Sequence, residues 1–161
     1  MAVRRLGPDD LENHPHLKPI RIARNSFGPN IPDRDLRVLP QHRVLVQGPQ
    51  VLLNIGLEAA LAPAYGLTCR PGVSIEAEAT RITYVHVGLD AHHVLISNGM
   101  ATESFLPGSE AISGLDLPLR AELIQIFPYL VWAPYRGIAP ARPILRRQET
   151  TVIAHQTSGR A

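Results

Sequence analysis

Two stretches, Asp35-Leu-Arg-Val-Leu-Pro-Gln-His42-Arg-Val-Leu-Val46 and Tyr84-Val-His-Val-Gly-Leu-Asp-Ala-His92-His-Val-Leu-Ile-Ser-Asn-Gly99, set histidines into apolar, β-like runs. Because side chains alternate between the two faces of a strand, His42 is predicted to point with the apolar residues of its run. In the second stretch, His92 and His93 are predicted to point to opposite faces. A histidine in an apolar strand is either a core-edge residue bonded to the backbone or a group that handles protons near neutral pH.

The composition favours one globular, β-rich domain. The chain has 161 residues, of which 45% are hydrophobic and 19% charged, so it can bury a substantial core. Fifteen prolines and twelve glycines between short Val/Leu/Ile runs favour an all-β fold over a helical bundle. The start lacks the apolar core of a signal peptide, and no run approaches the roughly 20 apolar residues of a membrane span. A cytoplasmic location is the default expectation.

The charge pattern and the single cysteine exclude several classes of function. The formal net charge is only +2 and the arginines are scattered, which argues against a nucleic-acid partner, and no membrane partner is expected. Cys69 is the only cysteine, so neither an internal disulfide nor a Cys-rich metal site is possible within the chain. His86, His92 and His93 could be imagined as metal ligands, but their spacing does not match a closed zinc site. The sequence therefore predicts neither a metal nor another cofactor.

Apolar alternation and turn residues predict the strands and their connections. Residues 1–19 are weakly patterned and are predicted to be irregular. The predicted strands are Pro19–Arg24, Leu36–Val46, Val51–Ile55, Val73–Ala79 and residues 81–96. A turn is expected at Ser97–Gly99, and a short helical turn at Leu57–Ala62 before Pro63.

The composition changes after Gly108. Leu119, Leu123, Ile126 and Phe127 form an apolar stripe with helical spacing, and Pro118 is well placed at the start of such a helix. A second short helix is predicted within 146–156. We expect the part from about residue 115 onward to be a small appendage at the periphery of the β domain.

Together, these segments resemble the bacterial Hint (Hedgehog/intein) domain family. Its first-histidine block resembles residues 35–46, and its last block resembles residues 82–106, which include His92 and Thr-Glu-Ser-Phe. The approach to the first block, residues 19–32, is also similar, and the resemblance covers roughly residues 3–108. It implies a Hint-like β domain over residues 1–114, followed by a helical or irregular tail over residues 115–161.

The resemblance also implies a chemistry for the two histidines. In this family, a Cys or Ser at the first position of the domain attacks the preceding carbonyl and converts a peptide bond into a thioester or ester. His42 would then polarise the scissile amide and help its nitrogen to leave, and His92 would serve later proton transfers. Both are therefore candidate catalytic residues supporting an activated nucleophile.

The sequence departs from the family pattern in three places. Leu39 stands where an assisting Thr or Ser usually lies, three residues before the first histidine. Val85 stands where intein-like members often carry an aspartate, seven residues before the last histidine. The family's opening segment, with its nucleophile and first strands, would lie before Met1, and Cys69 in mid-chain cannot replace it. We therefore expect an N-terminally truncated or degenerate domain that does not cleave itself alone.

This expectation suggests partners and leaves alternatives open. The partner would be a separate N-terminal Hint segment or a fused cargo protein, and self-association through exposed strand edges would follow from missing strands. One alternative is a non-catalytic β-rich binding module on the same scaffold. Another is a stand-alone hydrolase centred on His42 and His92.

Overall fold

The computed structural model describes residues 2–106 and 139–156, and within them the protein consists mainly of strands and loops. The strands are β1 (Ala2–Leu6), β2 (Ile20–Ile22), β3 (Leu36–Val38), β4 (Arg43–Gln47), β5 (Ala59–Pro63), β6 (Val73–Ile75), β7 (Ile82–His86), β8 (Val94–Ser97) and β9 (Met100–Glu103). The helices are α1 (Pro8–Asn13), α2 (Pro49–Ile55) and α3 (Arg147–Gln156), with 3-10 helices at Pro15–Leu17 and Ala64–Leu67. The predicted all-β class is confirmed.

The strands form three antiparallel sheets. The largest has the order β5-β4-β9-β8, the second β3-β2-β6, and the third is the ribbon β1-β7. Five register pairs join β4 to β5, whereas Val44↔Thr102 is the single pair that joins β4 to β9. The centre of the largest sheet is therefore held by a very short contact, and this is where the candidate site lies.

One main core unites the two larger sheets and the C-terminal helix. Alternating residues of β2 and β4 point into it, among them Ile22 and Val44, which are fully buried. Leu145 and Ile153 join the same core from the C-terminal part of the chain. The expectation of a peripheral appendage is therefore wrong for residues 139–156, because apolar side chains of this segment are buried among the strands. The predicted boundary at residue 114 lies outside the described residues.

A second, smaller apolar cluster covers the β1-β7 ribbon. Leu6, Leu11 and Tyr84 are buried there, and the Tyr84 hydroxyl donates a hydrogen bond of 2.8 Å to the carbonyl of Leu17. Burial raises the pKa of this tyrosine. The prediction of an irregular lead-in is wrong for β1 and α1, because the polar β1 gains its order by pairing with β7, a long-range contact that local patterning does not reveal.

The predicted strand Leu36–Val46 is two strands in two different sheets. The N–H of His42 donates to the carbonyl of Leu39 at 3.0 Å, which closes a turn around Pro40. Proline cannot donate to a strand ladder, so the chain leaves the smaller sheet at this point and enters the larger one. His42 therefore lies at the entrance of β4 and not in the middle of a strand.

The two segments that follow β4 have the reverse of the predicted structures. Residues predicted as a return strand form α2, which has Pro49 in its first turn and ends at Gly56 in the left-handed conformation, with φ of 75°. Residues predicted as a helical turn form β5, because pairing with β4 and nearly complete burial outweigh the helix preference of alanine and leucine.

The remaining predictions fall into three groups. The strand at Ile20–Ile22 and the helix Arg147–Gln156 are confirmed, and Asn98 and Gly99 both have positive φ angles, as a two-residue hairpin turn requires. The strands predicted over 73–79 and 81–96 are shorter than expected, since β6 ends at Ile75 and a loop separates β7 from β8. The helix predicted after Pro118 lies outside the described residues.

The contact between α3 and the 3-10 helix Ala64–Leu67 provides a test of this packing. A Cβ atom at Gly66 would lie 2.7 Å from two side-chain carbons of Thr150 on α3. We predict that Gly66→Ala lowers the free energy of unfolding by about 1–3 kcal/mol, the usual cost of overpacking a core. Gly7→Ala is the matched control, because its new Cβ would be no closer than 3.7 Å to a neighbour. Urea denaturation measures both, and equal stabilities would contradict the described docking of α3.

Candidate functional site

The site begins where β4 and β9 separate. Beyond the single pair Val44↔Thr102, the side chain of Glu103 fills the space between the strands. One carboxylate oxygen accepts the backbone N–H of Arg43 at 2.8 Å, and the other lies 2.9 Å from the Arg43 guanidinium. Glu103 is buried, with a side-chain exposure of 6%, so its charge is balanced inside the protein by Arg43.

His92 lies against the same carboxylate and is held by a hydrogen bond at its other ring nitrogen. Its side chain is fully buried, and Nε2 lies 3.2 Å from an oxygen of Glu103. This contact does not have good hydrogen-bond geometry, and Nε2 makes no hydrogen bond within the described residues. The other nitrogen, Nδ1, accepts the backbone N–H of Ala141 at 3.0 Å.

His42 occupies the other side of the β4 entrance. Its backbone is fixed at both ends, since its N–H donates to Leu39 and its carbonyl accepts the N–H of Ala64 at 2.9 Å. Burial lowers the pKa of His42, the nearby charge of Glu103 opposes that shift, and His86, Arg43 and His92 reinforce it. The ring is therefore neutral at neutral pH and close enough to the Glu103–His92 pair to respond to its charges.

A third imidazole closes the site from the β7 side. His86 packs edge-on against Phe105, with ring centroids 5.3 Å apart, and the N–H of Phe105 donates to the carbonyl of Val87 at 2.7 Å. Burial also lowers the pKa of His86, with a further contribution from Arg4. This neutral ring adds an apolar wall to the site.

The hydroxyl nearest to these groups along the chain is already engaged. Ser104 is fully buried, and its Oγ accepts the backbone N–H of His93 at 2.9 Å, while its own N–H donates to the His93 carbonyl at 2.8 Å. Cys69 is exposed and lies on the segment that leads into β6, a strand of the smaller sheet. Neither group has the environment of an activated nucleophile.

The structure brings the two predicted residues together and adds two that the sequence did not indicate. His92 lies 3.2 Å from Glu103, which is supported by Arg43, and the charge of Glu103 acts on the pKa of His42. The sequence offered little signal for this pair, because a Glu and an Arg in neighbouring strands are ordinarily exposed. His93, in contrast, is exposed and lies 3.6 Å from Asp90.

Two classes of site can be tested directly on the described residues. In ranges 2–106 and 139–156, no group of three or more His, Cys, Asp or Glu side chains is arranged to hold a metal ion. No helix in the same ranges is long and apolar enough to cross a membrane.

The fold and the site together define an all-β domain in which His92 lies beside a buried carboxylate whose charge also acts on His42. A family model described as Hint domain matches residues 1–109 of the 161-residue chain. The chain belongs to the Hint domain family, and the predicted Hint-like fold is confirmed. No curated protein and no solved structure matches the chain.

The lowered pKa values of His42 and His86 predict how stability depends on pH. From an ordinary value of 6.5, both rings bind protons more weakly in the folded state than in the unfolded one. Protons therefore favour unfolding, and the unfolding free energy should fall as pH drops below about 6.5, by at most about 1.4 kcal/mol per pH unit for each histidine. The stabilisation from Asp35 and Glu76, whose pKa values are also lowered, is lost only at more acidic pH.

Urea denaturation between pH 7 and pH 5 measures this dependence. His42→Gln and His86→Gln should each flatten the slope, while the same change at the exposed His155 should leave it as in the wild type. If stability depended on pH with the same slope in the wild type and all three variants, the assignment of His42 and His86 as neutral rings in the folded state would be contradicted.

The Glu103 network predicts a cost for a change that keeps the shape of this side chain. Both oxygens of Glu103 face donors of Arg43, so a glutamine would turn its amide N–H groups against one of them. We expect Glu103→Gln to lower the free energy of unfolding by about 1–3 kcal/mol, the cost of leaving a buried polar group unpaired. Glu76→Gln, at the more exposed pair with Arg37, should cost less than about 1 kcal/mol. Urea denaturation at pH 7 measures the loss of unfolding free energy in both variants. Equal losses would contradict a buried Glu103 carboxylate whose two oxygens both accept hydrogen bonds.

Proposed function

We propose that His42 and His92 form the acid–base centre of a Hint-type autoprocessing reaction. The observation that carries the proposal is the shared carboxylate: His92 lies 3.2 Å from Glu103, and the charge of Glu103 also acts on His42. The backbone N–H of Arg43, next to His42, also donates to this carboxylate, which supports placing both histidines in one centre. Membership of the Hint domain family supports the choice of reaction class.

His42 is suited to the first step of that reaction. When a thiol attacks the carbonyl carbon of the preceding peptide bond, a C–S bond forms, the C–N bond breaks, and the thiol proton ends on the leaving nitrogen. A neutral imidazole can receive that proton and deliver it to the nitrogen, so the step needs no other reactant. The burial that lowers the pKa of His42 keeps the ring in the neutral form that begins this transfer.

His92 is suited to a later step that depends on precise orientation. Its ring is fixed by Ala141 on one side and Glu103 on the other, as imidazole rings are when a carboxylate orients them for catalysis. We assign to His92 the later proton transfers of the reaction, and this role depends on the same proposal.

We further propose that another polypeptide segment delivers the nucleophile, and that this chain does not cleave itself alone. Three features of the described residues support this view. Leu39, at the position of the usual assisting hydroxyl, cannot donate a hydrogen bond. Cys69 is exposed near a different sheet, and Ser104 is buried with its oxygen engaged by the backbone.

The partner would be a Cys- or Ser-led opening segment of a Hint domain, encoded separately or joined to a cargo protein. Among residues 2–106 and 139–156, strand β8 forms an outer edge of the largest sheet, and Ile96 on it is 72% exposed. Such an edge can accept an added strand through main-chain hydrogen bonds. This edge lies next to β9, the strand that carries Glu103.

Mixing this chain with a purified opening segment from a Hint domain, in which a short peptide extension precedes the nucleophilic Cys, tests the proposal. We expect a thioester that hydroxylamine cleaves, which mass spectrometry detects as a defined fragment of the segment. His42→Ala should slow this cleavage by about 10²–10⁴-fold, the usual contribution of a positioned acid or base. His92→Ala should slow a later step, and His155→Ala, at an exposed position on α3, is the control that should change neither.

The other outcomes distinguish the alternatives. A well-folded complex without cleavage would refute autoprocessing and favour a binding module. Cleavage that is as fast in His42→Ala as in the wild type would refute the assigned role. Turnover of an added activated ester by the chain alone, lost in His42→Ala, would favour a stand-alone hydrolase.

A further inference from the structure

The segment from Ala139 to Leu145 crosses the sheet and ends against β5. The N–H of Leu61 donates to the carbonyl of Pro143 at 2.8 Å, and the N–H of Leu145 donates to the carbonyl of Leu61 at 2.9 Å. Leu145 is buried in the main core, with 4% exposure. These contacts fix the backbone of the segment, so Ala141, two residues before Pro143, is held in a defined place.

In a neutral His92 ring, only one nitrogen has a lone pair that could act as a base, and Ala141 lies against this nitrogen. A neutral imidazole has one N–H and one acceptor nitrogen. The N–H of Ala141 lies 3.0 Å from Nδ1, so Nδ1 must be the acceptor, and the ring proton must be on Nε2. Nε2 then carries its proton on the side of Glu103, whose nearest oxygen lies 3.2 Å away, although the geometry is not that of a hydrogen bond.

The two neighbours of His92 therefore select the same tautomer. A carboxylate favours an N–H directed at it, and a backbone N–H favours an acceptor. The Nδ1–H tautomer would set two donors face to face at Ala141 and leave Nε2 with a lone pair against a carboxylate. Since the ring is fully buried, water cannot relieve either conflict.

We propose that Glu103 and the backbone N–H of Ala141 are positioning groups that hold His92 as the Nε2–H tautomer and cover the nitrogen through which it would exchange protons. The inference rests on the proposed function in one respect, namely that His92 transfers protons at all. In the structure described, Ala141 occupies the position at Nδ1 that a reacting N–H would need. The segment Ala139–Leu145 must shift away from His92 before the ring can act.

Nitrogen-15 NMR of the full chain tests the assignment without any reaction. In the wild type, Nε2 of His92 should have the chemical shift of a protonated ring nitrogen and Nδ1 that of an acceptor. A scalar coupling across the hydrogen bond should connect Nδ1 to the amide nitrogen of Ala141. A spectrum with the ring proton on Nδ1, or without this coupling in a folded protein, would overturn the proposal.

Two pairs of variants separate the two positioning groups. Ala141→Pro removes the N–H, and Ala139→Pro makes the same change at an exposed position on the other side of Pro140. We expect the preference for the Nε2–H tautomer to fall roughly tenfold in Ala141→Pro, the bias that one hydrogen bond of ordinary strength gives, and to remain in Ala139→Pro. An unchanged preference in a folded Ala141→Pro protein would overturn the role of Ala141.

The carboxylate is tested by Glu103→Gln, with Glu76→Gln as the matched change at an exposed pair. An amide can present either its oxygen or its NH₂ group to Nε2, so in Glu103→Gln alone the tautomer preference should fall to the level that the N–H of Ala141 maintains. An unchanged ratio in both variants would refute positioning by Glu103. If either variant of the site does not fold, the wild-type coupling still decides the proposal.

These measurements separate the inference from the proposed function. A wild-type ring protonated on Nδ1 would refute the positioning groups and leave the roles of His42 and His92 in cleavage intact. An intact coupling combined with no thioester in the mixing experiment would support the positioning groups and refute the proposed function alone.

Discussion

The buried carboxylate of Glu103 is the constraint on which the site depends. Removing a charge from water costs several kcal/mol unless donors and an opposite charge compensate it. Glu103 obtains this compensation from the backbone N–H and the guanidinium of Arg43, and His92 completes its surroundings. Because these groups come from β4, β9 and the segment before β8, the single carboxylate fixes three parts of the chain relative to one another.

This arrangement follows from how β4 is used in the fold. The turn at Leu39–His42 passes the chain from the smaller sheet to the larger one, and β4 then pairs along its length with β5. On its opposite edge, β4 makes a single register pair with β9, and next to this pair the Glu103 side chain accepts the backbone N–H of Arg43. The region where β4 and β9 do not pair is therefore also the region of the buried polar site. At Arg43, a hydrogen bond from the backbone N–H to the Glu103 side chain replaces the missing strand contact.

The sequence predicted the fold class and the family, but not how the elements connect. The roles of His42 and His92 stay predictions. The apolar alternation around Val44 and the Asn98–Gly99 turn are local signals, and both were interpreted correctly. The exchange of strand and helix between residues 49 and 63 was not predictable from propensity, because α2 is too short for a helical period and β5 is stabilised by pairing and burial. The Gly48-Pro49 start and the Gly56 end were the available signals for α2. Glu103 was missed because burial, not residue type, gives it its role.

The two histidines share one carboxylate, yet they are in different physical states. His42 is neutral because burial outweighs the attraction of Glu103, and no hydrogen bond to its ring forms within the described residues, so it is ready to receive a proton. His92 accepts a backbone N–H at Nδ1, and its Nε2 lies close to a carboxylate without a hydrogen bond. The first ring is therefore available, whereas the second is covered at Nδ1. Under the proposed function, this difference would place the action of His42 before that of His92, because the segment Ala139–Leu145 has to leave Nδ1 first.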